Sequence, residues 1–189
     1  MQIHYEALHR SALEAGISAE EWDWFVQGTS FKEIPRGTAL IRAGESVHHA
    51  YFCTKGCFRL YYTLPDGKDF NVAFTLEQDY ATSYAAMVSG AESSYTIEAL
   101  EDSTVIAIPY DALLHFMEAS HHWEHFVRKA VERLYIRKEE RERELLCLSA
   151  LERYEAFLQK YPGLEKRIPQ YHIAAYIGIS PVSLSRLLR

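Results

Sequence analysis

No stretch of this 189-residue sequence approaches the run of roughly 18 to 20 apolar residues that a membrane-spanning helix needs. Cysteine is scarce as well. Cys53, Cys57 and Cys147 are an odd number of thiols, which gives no disulfide framework. Within one chain they cannot build a four-thiolate zinc or iron–sulfur site either. The segment Met1 to Gly16 carries His4, Glu6, His9, Arg10 and Glu14 and has no apolar centre, so it does not read as a secretory signal. A cytoplasmic protein without cofactor is the expectation. Positive charge is in deficit too: the net charge is −6. That argues against a chain-wide nucleic-acid surface, but distribution matters more than the sum. Between Ser149 and Arg189, six Lys and Arg residues face three acids, so the acidic excess lies entirely upstream.

What is present has the balance of an ordinary globular protein, 48% apolar and 24% charged. Ser18 followed by Glu21 and then Trp22, Phe25 and Val26 is a capping box opening a short helix, and Tyr5 to Ala15 reads as helical. From Phe31 to Ile108 short β-rich runs alternate with Gly, Pro and Asp-Gly. The runs are Ala39–Ile41, Ala50–Cys53, Phe58–Tyr62, Phe70–Phe74, Tyr95–Leu100 and Thr104–Ile108. Asp66-Gly67 between two such runs marks a hairpin. Strands this short and frequent predict a small barrel or jelly roll. Its aromatic residues Tyr51, Phe52, Phe58, Tyr61, Tyr62, Phe70 and Phe74 are expected mainly in the core.

Pro109 to Met117 is expected to be helical. His122 to Cys147 contains no Gly or Pro and reads as one long helix. Trp123, Val127, Ala130, Leu134, Arg141 and Leu145 recur on one face. A helix of this length outruns a small barrel, so the stripe is expected to form a seam with a second copy, with Arg141 its weak point. The alternative is a helix packed within its own chain with a solvated, charged middle. Ser149 and Glu152 make a second capping box, starting a helix that should stop at Pro162-Gly163.

The last segment has a logic of its own. Gln170 to Tyr176 forms a short helix, Gly178 allows a left-handed turn, Ser180 is an N-cap, and Pro181 stands at the first helical position. Leu184, Leu187 and Leu188 bury the second helix; Ser183, Ser185 and Arg186 face solvent. Two helices joined in this way predict a helix-turn-helix whose second helix enters the major groove of double-stranded DNA. The candidate DNA contacts are Gln170, Ser180, Pro181, Ser183, Ser185, Arg186 and Arg189. The bland alternative is a helical hairpin inside a core.

In order and at their spacings, Arg36–Leu40, Gly44-Glu45, Tyr51-Phe52, Lys55-Gly56, Asp66-Gly67-Lys68 and Glu98–Ser103 resemble the Crp–Fnr family of bacterial transcription regulators. So do Leu151–Tyr154 and Ile177–Ser180. The resemblance implies an α+β fold: an N-terminal jelly-roll barrel like that of cyclic-nucleotide-binding domains, a long dimerisation helix, and a C-terminal winged helix-turn-helix. The corresponding domains are 1–117, 118–148 and 149–189. It also implies a homodimer, with RNA polymerase as a further candidate partner. Arg189 ends the sequence where the family continues, so weak DNA binding is expected.

In family members that bind cyclic nucleotide, a Glu holds the ribose and an Arg-Ser pair holds the phosphate. Ser83 and Ser93 occupy those Glu and Arg positions here; Ser94 remains. A phosphate in a partly dry pocket needs a positive partner, which hydroxyls do not supply. Cyclic AMP is therefore not expected as the effector, whose identity stays open. The candidate effector pocket is Tyr80, Ser83, Tyr84, Ser93, Ser94, Arg137 and Lys138. The family's four-cysteine cluster is absent, and His48 and His49 point to opposite faces of a strand, so no metal site is expected. Two other readings remain: a barrel that binds a different small anion or a protein partner, and, least favoured, a cupin-type metalloenzyme. Cupin chemistry needs a His-X-His and a carboxylate on one metal, a spacing the sequence lacks, so no enzyme is expected.

Overall fold

The computed structural model describes residues 2–188, excluding the side chains of Gln2 and Ile3. Two helices, α1 (Gln2–Glu14) and α2 (Ala19–Gly28), precede the strands. The capping box at Ser18 forms as its sequence predicts. Glu21 N–H donates to Ser18 Oγ at 3.3 Å, and Ser18 N–H donates to Glu21 Oε2 at 2.9 Å. The bonds that Ser18 N–H and the Ser18 hydroxyl donate to Glu21 Oε2 hold the Glu21 carboxyl below the ordinary carboxylate range.

Eight strands follow: β1 (Ser30–Ile34), β2 (Ala39–Ile41), β3 (His49–Lys55), β4 (Phe58–Thr63), β5 (Asp69–Thr75), β6 (Tyr80–Ala81), β7 (Thr96–Ala99) and β8 (Ser103–Pro109), with a short helix α3 (Tyr84–Ser89) before β7. They form two four-stranded sheets, ordered β1-β8-β3-β6 and β2-β7-β4-β5. The result is a mixed α and β fold built on two four-stranded sheets. In the first sheet Ile106 of β8 pairs with Phe31 of β1 on one side and Phe52 of β3 on the other, both antiparallel. Gly56, at φ +110°, turns β3 into β4. A Cβ there would lie 2.1 Å from Ser103 Oγ, so no other residue fits.

After the strands come α4 (Tyr110–Ala119), the long helix α5 (His121–Cys147), α6 (Ala150–Lys160), a 3-10 turn at Leu164–Lys166, α7 (Gln170–Ile177) and α8 (Pro181–Leu187). No described helix is long and apolar enough to cross a membrane.

The chain divides into two compact units. One comprises Met1–Leu60 and Phe74–Glu132; the other comprises Tyr61–Ala73 and Arg133–Arg189. The core of the first is apolar and rich in aromatics: Tyr5, Leu8, Trp22, Phe25, Phe52, Ile106, Ile108, Leu113, Trp123 and Phe126 pack together. Trp123 is fully buried, with its ring centroid 4.8 Å from that of Phe25 and 4.9 Å from that of Phe116. The aromatics of the strands divide. Phe52, Phe58 and Phe74 are buried, whereas Tyr62 is exposed.

The second unit is built differently. Phe157, Tyr161 and Tyr176 form an aromatic cluster with ring centroids 5.6 to 5.7 Å apart. Arg141 and Glu144 reach Tyr176 of this cluster, and Asn71 and His172 are buried in the same unit. The hairpin between β4 and β5 belongs to this unit and is closed by Leu64 N–H donating to the Lys68 carbonyl at 2.8 Å. Its Asp66-Gly67 tip has Gly67 at φ +79°.

Candidate nucleic-acid interface

The helix α6 begins at the second capping box, with Ser149 N–H donating to Glu152 Oε2 at 2.8 Å. It is the platform for α7, and side chains from three separate elements bind the carbonyls of α7. From β5, Asn71 Nδ2 donates to the His172 carbonyl at 2.9 Å. From α5, the Arg141 guanidinium donates to the Tyr176 carbonyl and lies 3.8 Å from the Tyr176 ring centroid. From α6, Arg153 Nε donates to the Ile177 carbonyl at 2.7 Å, while its Nη1 donates to the Leu148 carbonyl at 2.6 Å. Both arginines reach the last turn of α7, where carbonyls lack helical partners and the dipole favours a cation.

The charges have partners of their own. Arg141 Nη1 donates to Glu144 Oε2 at 3.2 Å, and Lys160 Nζ lies 3.7 Å from Glu144 and 3.5 Å from Glu140. Burial pushes the Tyr176 hydroxyl far above its ordinary range, so it stays protonated.

Gly178 ends α7 at φ +75°, ψ +35°, the left-handed conformation that the sequence requires of it. Phe70 of the hairpin packs 3.5 Å from where a Gly178 Cβ would stand. The chain then turns into α8. Ser180 is the N-cap: Ser183 N–H donates to Ser180 Oγ at 3.1 Å, and Pro181 occupies the first turn. Leu184 is fully buried, Leu187 is half-buried and Leu188 is 41% exposed. Pro181, Val182, Ser183, Ser185 and Arg186 are exposed.

Of the candidate DNA contacts, Ser180, Pro181, Ser183, Ser185 and Arg186 therefore share the surface of one short helix and its cap. Gln170, also exposed, lies at the start of α7. Arg189 lies outside the described residues. Sequence reasoning passed over Asn71 and Arg153. The α7 carbonyls that they bind lie 101 and 24 residues away along the chain.

The candidate effector residues fall in both units. Tyr80 of β6 is half-buried, with its ring 5.2 Å from that of Phe52. Ser83 and Ser93 are each 2% exposed, and Ser94 is exposed. The Ser93 hydroxyl donates to the Tyr95 carbonyl at 2.7 Å. Tyr84 is half-buried, and burial raises its hydroxyl above the ordinary range. These five belong to the first unit, whereas Arg137 and Lys138 belong to the second. Among the described residues, no group of three or more His, Cys, Asp or Glu could hold a metal ion.

The stripe expected to form an intermolecular seam is largely occupied within the chain. Trp123 and Val127 are in the core of the first unit, and Arg141 is buried in the second. Ala130, Leu134 and Leu145 are half-buried. The exposed large apolar residues of α5 are Tyr135 (67%), Ile136 (54%) and Leu146 (77%), which point away from that stripe.

Residues 31–120 match the cyclic nucleotide-binding domain family. A comparison with curated proteins finds no match. Among solved structures, FixK2 from Bradyrhizobium japonicum superposes with a TM-score of 0.76 at 19% identity, over 85% of this chain and 82% of that one. The c-di-GMP-responsive global regulator CLP of Xanthomonas campestris gives 0.73 at 14% identity, over 90% of each chain. A protein from Eubacterium rectale assigned to the crp/fnr family of transcriptional regulators gives 0.72 at 16% identity, over 94% of this chain and 84% of that one. The segment 31–120 is thus similar to cyclic nucleotide-binding domains, in a chain that shares its fold with Crp/Fnr-family transcription regulators.

Proposed function

We propose that this chain is a DNA-binding transcription regulator in which α7 and α8 form a helix-turn-helix and α8 enters the major groove. The observation that carries this reading is the surface of α8. One face is buried through Leu184, while the other presents Ser183, Ser185 and Arg186 with no acid anywhere between Gln170 and Leu188. An exposed arginine on a groove-sized helix can donate two bonds to a guanine edge. The chain divides by role into a barrel (1–117), a long helix (118–148) and a reading head (149–189).

Homodimerisation belongs to the same reading. Tyr135 and Leu146 stand about three helical turns apart on one face of α5, flanked by Ile136, and these exposed residues are the dimer seam in place of the Trp123–Arg141 stripe. Effector choice in the barrel departs from cyclic AMP, because Ser83 and Ser93 offer no cation to a phosphate.

The test is the affinity of the purified chain for duplexes enriched from a random pool, compared with scrambled duplexes of equal length. The reading expects a two-fold-repeated motif bound at least about a hundredfold more tightly than its scramble, within the range for specific recognition. Equal affinity for both would overturn it.

A further inference from the structure

The exposed face of α8 also carries an apolar side chain. Val182, in the first turn of α8, is 61% exposed. Its neighbours leave it prominent. The Ser180 and Ser183 hydroxyls lie 2.8 Å apart and hydrogen-bond to each other, and Ser180 Oγ also accepts the Ser183 N–H. Both cap hydroxyls are thus engaged inside the helix start. Pro181 has no N–H to offer. Val182 and Arg186 are four residues apart, so they share a face, about 6 Å apart along the axis. The valine is β-branched and restricted at χ1, which fixes the place of its two methyl groups.

We infer that Val182 is a specificity-determining residue that selects thymine through contact with its C5-methyl group. The inference rests on the reading of α8 as the groove helix. In the major groove, thymine is the base that presents a methyl; cytosine carries only a hydrogen at that carbon, beside its amine, and neither purine has a methyl. A valine has no donor or acceptor with which to satisfy a polar edge, so facing cytosine it would desolvate the amine and return nothing. Facing thymine it buries two apolar surfaces against each other. Arg186, on the same face, supplies the polar half of the readout at guanine. The rise of about 6 Å between the two residues along α8 keeps the thymine and the guanine within the few base pairs that one groove helix spans.

The test uses the full chain. Duplexes are enriched from a random pool, and each recurrent thymine is then replaced singly by deoxyuridine, which removes only the methyl. Affinity is read by fluorescence anisotropy for the natural chain and for Val182→Ala. The expected result is one thymine per half-site whose replacement weakens binding about fourfold, the worth of one buried methyl group. That loss should vanish in Val182→Ala, whose circular dichroism should match the natural chain because the side chain is exposed. Uracil replacements that all leave affinity within twofold would overturn the inference, as would a loss that persists in Val182→Ala; DNA reading by α8 would survive either. A pool that enriches no motif would instead remove the reading on which the inference rests.

Discussion

Each of the two units is closed by its own kind of force. The first closes over a continuous apolar core in which Phe25, Phe116, Trp123 and Phe126 stack edge to face or tilted. The second buries Asn71, Arg141, Glu144 and His172 along with three aromatic rings. Apolar burial is non-directional and scales with area, so it makes a sturdy frame without dictating angles. Buried polar bonds add little net stability, yet each holds only in one geometry. The difference teaches where precision is needed. A barrel can tolerate small shifts; on the proposed function α8 must be aimed, and Asn71, Arg141 and Arg153 bind the carbonyls of the helix before it. The polar arrangement is also incompletely satisfied: Asn71 Oδ1 and Arg141 Nε are buried without hydrogen-bond partners among the described residues.

The contrast can be broken from its apolar side first. Trp123→Ala should cost about 3–5 kcal/mol of stability, since it empties the centre of the first unit. Urea unfolding followed by circular dichroism measures this, and a loss below about 1 kcal/mol would show that the core does not depend on it.

A smaller effect is expected on the polar side. Arg141→Met leaves Glu144 buried, a break that costs about 3–5 kcal/mol where no other partner exists. Lys160 lies 3.7 Å from Glu144 and offsets part of it, so about 2 kcal/mol is expected. The double variant Arg141→Met with Glu144→Leu should recover most of that loss, because it removes both charges together. Its DNA affinity should stay low, since Tyr176 has still lost its clamp; recovery of both together would deny Arg141 an aiming role.

The smallest effect compares the units through their capping boxes. Glu21 in the first and Glu152 in the second are held below the ordinary carboxylate range, chiefly by hydrogen bonds from Ser18 and Ser149. A carboxylate whose folded value is lowered stabilises fully above its unfolded value and loses that contribution as pH falls through the lowered one. Melting temperature should therefore be insensitive to these two groups near neutrality and respond to them only below about pH 4.5. Glu21→Gln and Glu152→Gln should each flatten the acid limb slightly.

Much of the fold was legible in the sequence because its signals are local. Both capping boxes, the Asp66-Gly67 hairpin and the order Gly178, Ser180, Pro181 each complete their geometry within a few residues. Other features depend on distant partners. Strand β1 is exposed almost throughout and lacks alternation, and its pairing with β8 is what makes it a strand. Helix α3 spans only six residues. The stripe on α5 shows the limit most clearly. Periodicity tells which face of a helix is covered, but not by what. Trp123 and Arg141 share that face, and both are covered by their own chain. Arg141 reads as a flaw in an apolar seam until Tyr176, 35 residues on, supplies the ring and carbonyl that it binds.

On the proposed function, DNA is read by the exposed face of α8. The most direct test compares the affinities of the natural chain and Arg186→Ala for the enriched duplex and for its scramble, at one fixed salt concentration. Loss of the guanine contact should weaken binding to the enriched duplex about tenfold to a hundredfold, corresponding to about 1–3 kcal/mol. Binding to the scramble should fall much less. Equal losses on both duplexes would mean that Arg186 serves only as a positive charge, and that the exposed face of α8 does not read sequence.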